Sequence, residues 1–410
     1  MAATPGTVPY ATSNYGRFAA AHAARSLGWA TTDLLLAWHL HSDVGFSGAT
    51  VSILLALFLL TGAVANLGVG LLLTLRKATG PDYVRLQLVG AVSAALLLAG
   101  QFLVVDPVAV TVIGFAFRIA YAVQDVPQNA LGSLLPHDDG DARRYARLRV
   151  TLSGIMRVVA ISLHLLLYWI AAGMIVFVAI GGLIVASAIG LRGLRFPTRP
   201  RIRLEPMTGK SAWPAGLPKL LLGFAVSTAL LPTISRLLIF APSTDSTILQ
   251  AGGWMLNAFC VGSVLGPFAQ YRLLDAFGER GALMAGIIVT LASALLVTFG
   301  GPVPIRALAA AMHGIGLGIV GVHLWTSVAR VAMEDAATGP RRDGMVASAV
   351  ILTMHVSMAA GSLFLAPLID AYAVGDPAAA LAALVIVAVG GIMLALTELP
   401  VRRSTPPVAA

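Results

Sequence analysis

Arg118-Ile119-Ala120-Tyr121-Ala122-Val123-Gln124-Asp125-Val126-Pro127-Gln128-Asn129-Ala130-Leu131 places an arginine and an aspartate inside an apolar helical stretch, and the polar, basic run His137 to Arg149 follows it. Ionisable groups inside a membrane-grade helix are costly and usually functional. The stretch therefore implies a membrane protein with a polar pathway through its interior.

Composition agrees. The 410 residues are 58% hydrophobic and 11% charged, with mean hydropathy +0.87, against about 25% charged in soluble domains. Stretches of roughly 20 apolar residues, the length that crosses a bilayer, recur about twelve times, near 17–40, 50–74, 82–105, 107–133, 150–172, 174–194, 216–240, 247–270, 281–300, 304–330, 344–370 and 378–399. The expected fold is all-α, an integral membrane protein of about twelve transmembrane helices.

The net charge of +9 is explained by placement and needs no nucleic acid partner. Lys and Arg collect in alternate connections: Arg76, Lys77 and Arg85; Arg143, Arg144, Arg147 and Arg149; Arg192 to Lys219; Arg272 and Arg280; Arg341 and Arg342; Arg402 and Arg403. The other connections, around Asp43, Asp106, Asp245 and Asp376, hold almost none beyond Arg306. This positive-inside pattern predicts a multi-pass protein of the cell's inner (plasma) membrane with both termini cytoplasmic. The segment before Arg17 lacks the order of a cleavable signal peptide. Cys260 is the single cysteine, so neither an intramolecular disulfide nor a cysteine metal cluster is available.

Six spans precede the polar stretch Arg192 to Pro214 and six follow it. The predicted division is an N-terminal six-helix bundle over 1–194, a cytoplasmic linker over 195–215 and a C-terminal six-helix bundle over 216–410, an organisation in which two halves rock about a midplane site. The loops at Leu75-Arg76-Lys77-Ala78-Thr79-Gly80 and Leu274-Asp275-Ala276-Phe277-Gly278-Glu279-Arg280-Gly281 echo one another at equivalent places in the halves. No phosphate-binding loop, metal-spaced His/Cys/Glu set or nucleophile elbow is present. The protein is expected to be neither an enzyme nor an ATP-driven pump, with no cofactor and no metal.

Residues three and four apart share a helix face. Arg118, Tyr121 and Asp125 form one stripe, with Gln128 and Asn129 beside it, and Pro127 frees the carbonyl of Val123. Arg149, Ser153, Arg157, Ala160 and His164 form a second. Arg25, Trp29 and Asp33 form a third, in which Asp33 is the deep carboxylate. Such stripes either hold a structural ion pair or contact a solute or ion; the expectation is the latter, with Asp33 also open to a proton-carrying role. In the second half, Trp254 and Asn257 share a face with Gln250, and His355 shares one with Ser348, Ala359 and Ser362. His39, His41 and Asp43 read as solvated interface residues. The small-residue run Gly314, Gly316, Gly318 and Gly321, flanked by His313, His323 and Trp325, reads as close helix packing. Arg236 either snorkels to the interface or lines a cavity.

Asp125-Val126-Pro127-Gln128-Asn129-Ala130-Leu131, followed by Arg143 and Arg149, resembles the glycoside-pentoside-hexuronide:cation symporter family of the major facilitator superfamily. Ser42-Asp43-Val44-Gly45-Phe46-Ser47 resembles the family's turn into its second helix. Trp325 through Glu334, Asp335, Thr338, Gly339, Arg341, Arg342, Asp343 and Gly344 resembles its connection before the eleventh. The resemblance implies a solute site with Asp125 gripping sugar hydroxyls and Arg149 beside it, and His355 stands where a sugar-carrying member has a functionally important lysine. The family's paired second-helix acids are replaced here by Val64-Ala65-Asn66-Leu67-Gly68-Val69. Sodium coupling is therefore not expected. The predicted function is secondary transport of a sugar, glycoside or sugar acid by alternating access, coupled to protons through Asp33, Asp125 or His355. Substrate contacts are expected from Asp125, Arg149, Arg118, Tyr121, Asn129, Trp29, Trp254, Asn257 and His355. The partners are thus a small solute, a proton and the lipid bilayer, and the chain is expected as a monomer. An excess of arginine within the spans favours an anion, so a carrier of a small organic anion or an amphiphile such as a lysolipid is the alternative; a non-transporting membrane chaperone or sensor is another.

Overall fold

The computed structural model describes residues 10–169, 173–196, 214, 216–240, 246–299, 301–338, 342–373 and 376–397. These are helical throughout apart from short turns: α1 (Tyr10–Ser42), α2 (Gly48–Leu75), α3 (Gly80–Leu103), α4 (Pro107–Leu134), α5 (Asp139–Trp169), α6 (Gly173–Gly190), α7 (Leu217–Ala229), α8 (Thr233–Phe240), α9 (Ser246–Phe299), α10 (Val303–Thr338), α11 (Asp343–Ala373) and α12 (Pro377–Thr397).

The starts are set by local chemistry. Ser47 accepts a hydrogen bond from the Thr50 amide to cap α2. Thr79 and Asp82 form a reciprocal capping box on α3. Asp106 accepts from the Ala109 amide ahead of Pro107 on α4. Such caps satisfy amides that have no partner inside the helix.

All twelve expected spans fall on helices, with two differences in how the helices are cut. The seventh is divided into α7 and α8 around Leu230 to Pro232, because Pro232 has no N–H to continue the ladder. The eighth and ninth run together as α9, which turns at Gly278 with φ 69°, a left-handed conformation that glycine adopts without penalty. Nine stretches among the described residues are long and apolar enough to cross a membrane, and the one over Met255–Phe299 has 45 residues, enough for two crossings at about 20 residues each. Large apolar side chains such as Val64, Leu96, Val108, Ile288, Leu308 and Phe364 stand on the outer surface, where a bilayer would solvate them. The protein is a multi-pass membrane protein.

Helices α1 to α6 pack on one another, as do α7 to α12, and the two groups meet where α2 lies on α11 and where α5 lies on α9 and α10. Close approach is built from glycine: Gly90 lets α3 touch the α4 backbone at Val123 and Gln124, and Gly262 and Gly314 face backbone atoms of α10 and α9. The glycine run of α10 therefore does pack tightly, and His313 is buried within that packing, its Nδ1 within 3.3 Å of Ser293 Oγ. The α4 helix continues through Pro127.

One expectation is corrected at the end of α1. His39, read as solvated, is buried, with Nδ1 2.7 Å from Asp43 Oδ2 and Nε2 3.2 Å from the Val104 carbonyl. It ties α1 to the α3–α4 connection. His41 is exposed. The 195–215 segment lies largely outside the described residues.

Candidate functional site

Between the two groups of helices lies a cavity of about 340 Å³, within the size range of small-molecule sites. The three polar stripes converge on it. Arg25, Trp29 and Asp33 reach it from α1, Tyr121, Asp125 and Asn129 from α4, and Arg149, Ser153 and Arg157 from α5. The opposite wall carries no charged side chain among the described residues and is built from α7 to α11. It holds Phe224, Leu256, Phe259, Trp325, Met354 and His355, with hydroxyls from Ser227, Thr228, Ser235 and Ser263. Ser227, Ser235 and Ser263 each donate to the carbonyl three residues back, at 3.1, 2.8 and 2.7 Å, and so present lone pairs to the cavity. The α7–α8 break at Pro232 lies in this wall.

The charges divide unevenly. Arg25 forms a buried ion pair with Asp125, donates to Asn129 Oδ1 at 3.3 Å and reaches His22 Nδ1 at 3.2 Å. Arg149 donates to Asn129 Oδ1 and stacks its guanidinium 3.3 Å from the Trp325 ring centroid, an arrangement that joins the two halves of the chain. A desolvated cation–π contact is worth about 2 kcal/mol. Arg149 and Arg157 have no carboxylate within ion-pair distance among the described residues. Asp33 likewise has no ion-pair partner there, although its charge reaches Arg118.

His22 was not singled out by sequence reasoning. It is fully buried, with Nε2 3.1 Å from the Arg149 carbonyl and 3.2 Å from Ser153 Oγ. Arginine only donates, so Nδ1 must accept from Arg25 and Nε2 must carry the proton given to the Arg149 carbonyl. One imidazole thus holds the Arg25 side chain and the α5 backbone at Arg149. Its signal was its position one turn before Arg25 on the same stripe. Trp325 was read as a flank of the glycine run and as the start of the stretch leading to the eleventh span, not as a cavity residue.

Of the expected contacts, Asp125, Arg149, Tyr121, Asn129, Trp29 and His355 line the cavity. Arg118 does not line it. It is buried behind Trp29, its guanidinium carbon 4.8 Å from the indole centroid, and its Nε and one terminal nitrogen have no hydrogen-bond partner. Asn257 is half-buried on α9 and not among the lining residues. The side chains of Trp254, Arg236 and His164 lie outside the described residues, and neither His313 nor His323 lines the cavity.

His355 stacks parallel on Trp29 with centroids 5.0 Å apart. Asn66 donates to the Gly62 carbonyl at 2.7 Å and lies 3.4 Å from His355 Nδ1. The amide orientation set by Gly62 makes His355 Nδ1 an acceptor, which leaves its proton on Nε2. An amide–imidazole contact thus joins α2 to α11.

At the basic end the cavity is closed. Arg330 of α10 makes a two-point contact with Asp139 of α5, at 2.6 and 2.7 Å, and also binds Glu279. Arg143 reaches the same Glu279 at 2.7 Å. The Asp139 carboxyl is held below its ordinary range chiefly by the Arg330 hydrogen bonds, so this tie is intact at neutral pH. Ser133 donates to Asp343 at 3.0 Å, and the Tyr83 hydroxyl accepts from the Gly344 amide at 3.1 Å. Apart from Arg330–Glu279, which lies within the second group, each of these contacts joins the first six helices to the last.

No protein-family model and no curated protein sequence matches the chain. Solved structures do. The crystal structure of the human organic anion transporter MFSD10 aligns at 14% identity with TM-score 0.72, over 94% of this chain and 100% of that one. The Escherichia coli fucose:proton symporter FucP aligns at 13% identity with TM-score 0.67, over 95% and 100%. A bacterial homologue of the iron transporter ferroportin, in an outward-facing state, aligns at 11% identity with TM-score 0.68, over 94% and 99%. The chain has the major facilitator fold.

Proposed function

We propose that the protein is a secondary transporter that carries a small organic anion, a sugar acid or a comparable hydroxy acid, through the central cavity by alternating access. The single observation behind this reading is that Arg149 and Arg157 face the cavity with no carboxylate to answer them, while Asp125 is engaged by Arg25. Uncompensated charge at membrane depth is unfavourable. A bound anion supplies the missing charge, and Arg149 offers a planar fork of donors for it. The carboxylate of Asp33 serves as the proton carrier, and the α2 stretch Val64 to Val69 brings no carboxylate for sodium. The basic end is cytoplasmic on the positive-inside rule, so the cavity as built is closed to the cytoplasm.

The fold is shared with proteins described as an organic anion transporter and as a fucose:proton symporter, and a neutral sugar is the second reading. What favours it is the set of hydroxyl lone pairs on the C-terminal wall, which suit hydroxyl donors. Solute-induced thermal shifts of the purified protein separate the two. Uronates and other hydroxy acids should stabilise it and neutral glycosides should not; the reverse order would overturn the anionic reading.

A further inference from the structure

Resting on that anionic reading, we infer that the solute is an extended dianion, with one acid group at Arg149 and the other at Arg157. Four arginines lie in or against the cavity. Against them stand two carboxylates, Asp125, engaged by Arg25, and Asp33, which also lines the cavity. Four arginines against two carboxylates leave an excess of two positive charges among the described residues, and neither Arg149 nor Arg157 has a carboxylate within ion-pair distance there. A monoanion answers only one of them.

The geometry separates the two. Arg149 and Arg157 are eight residues apart on one face of α5, a rise of about 12 Å at 1.5 Å per residue. Ser153 stands midway between them on the same face and also lines the cavity. The Arg149 guanidinium is fixed at the closed end by Asn129 and Trp325. Arg157 stands two turns further from that end, half-buried and against the cavity. The facing wall carries Phe224, Leu256, Phe259 and Met354 with a few hydroxyls, such as that of Ser263, among them, and no charged side chain among the described residues. The matching ligand has two acid groups at opposite ends of an apolar or lightly hydroxylated body. A compact phosphate or a vicinal diacid would leave one arginine unanswered.

The test is isothermal titration of the full-length protein in nanodiscs with α,ω-dicarboxylates from succinate to sebacate, the monocarboxylates of the same lengths, and the corresponding neutral diols. Affinity should pass through an optimum with chain length, and at that length the diacid should bind about tenfold or more tighter than the monoacid, as an added charged hydrogen bond implies. Arg157→Gln should erase that ratio, whereas Arg149→Gln should weaken diacid and monoacid alike. Melting of the empty variants checks that both are folded, and Arg157→Gln should melt no lower than wild type because it removes an unanswered charge. Equal binding of diacid and monoacid, or a ratio that survives Arg157→Gln, overturns the two-point inference while leaving anion transport standing. Diols that bind as well as the acids overturn both.

Discussion

Arg149 of α5 lies with its guanidinium 3.3 Å from the ring centroid of Trp325 on α10, so the cation at the floor of the cavity is held by a side chain from the other half of the molecule. Solute binding and the opening of that floor are thereby coupled, because Arg149 cannot leave Trp325 without changing the site. Arg149→Lys keeps the charge and loses the planar stack. It should lower solute affinity by about tenfold or more, read by isothermal titration, with the empty protein still folded.

Asp125→Asn should destabilise as well as inactivate. It leaves Arg25 buried without its partner, and breaking a buried pair costs about 3–5 kcal/mol. Melting in detergent should fall for Asp125→Asn and for Arg25→Ala. It should recover in the double variant Arg25→Met/Asp125→Leu, which should still fail to transport.

His22→Ala removes the acceptor for Arg25 and the donor to the Arg149 carbonyl. An unsatisfied buried donor costs about 1–3 kcal/mol, so stability should fall modestly while affinity for the anion falls with the loosening of both arginines. Unchanged affinity, measured by titration, would show that the imidazole only fills space.

Asp33→Asn should separate exchange from accumulation. Solute counterflow, which needs no net proton movement, should persist in proteoliposomes, while solute-driven alkalinisation of the medium should disappear. Alkalinisation at the wild-type rate in this variant would assign the proton to Asp125 or His355 instead.

The contacts at the basic end predict a conformational effect. Arg330→Gln removes the cation shared by Asp139 and Glu279, so spin labels at Arg144 and Arg280, in a Cys260→Ala background, should report a longer or broader distance distribution than in the parent. An identical distribution would show that these ion pairs do not hold the closed face.

Most of the fold was legible because bilayer length and the alternation of basic loops act along the chain. The turn at Gly278 falls inside the expected loop between the eighth and ninth spans, whereas the cut at Pro232 was visible as a residue but not as a break, since apolar run length alone does not resolve it. The site was partly legible. Polar stripes at intervals of four identified Arg25, Asp125 and Arg149, because deep charge in an apolar helix has few places to go. Arg118 shares the stripe of Asp125 but lies about 10 Å further along the helix axis, where Trp29 covers it. That Arg25 would engage Asp125 is a tertiary fact with no trace in spacing. His22 carried only its place one turn before Arg25, and Trp325, beside a glycine run, carried nothing that pointed to the cavity.

Counterflow tests the central claim most directly. Proteoliposomes preloaded with a panel of unlabelled organic acids and sugars should exchange a labelled dicarboxylate or uronate, and Arg149→Ala should abolish that exchange. Exchange of neutral sugars alone, or no exchange of any solute by the folded wild-type protein, would contradict it.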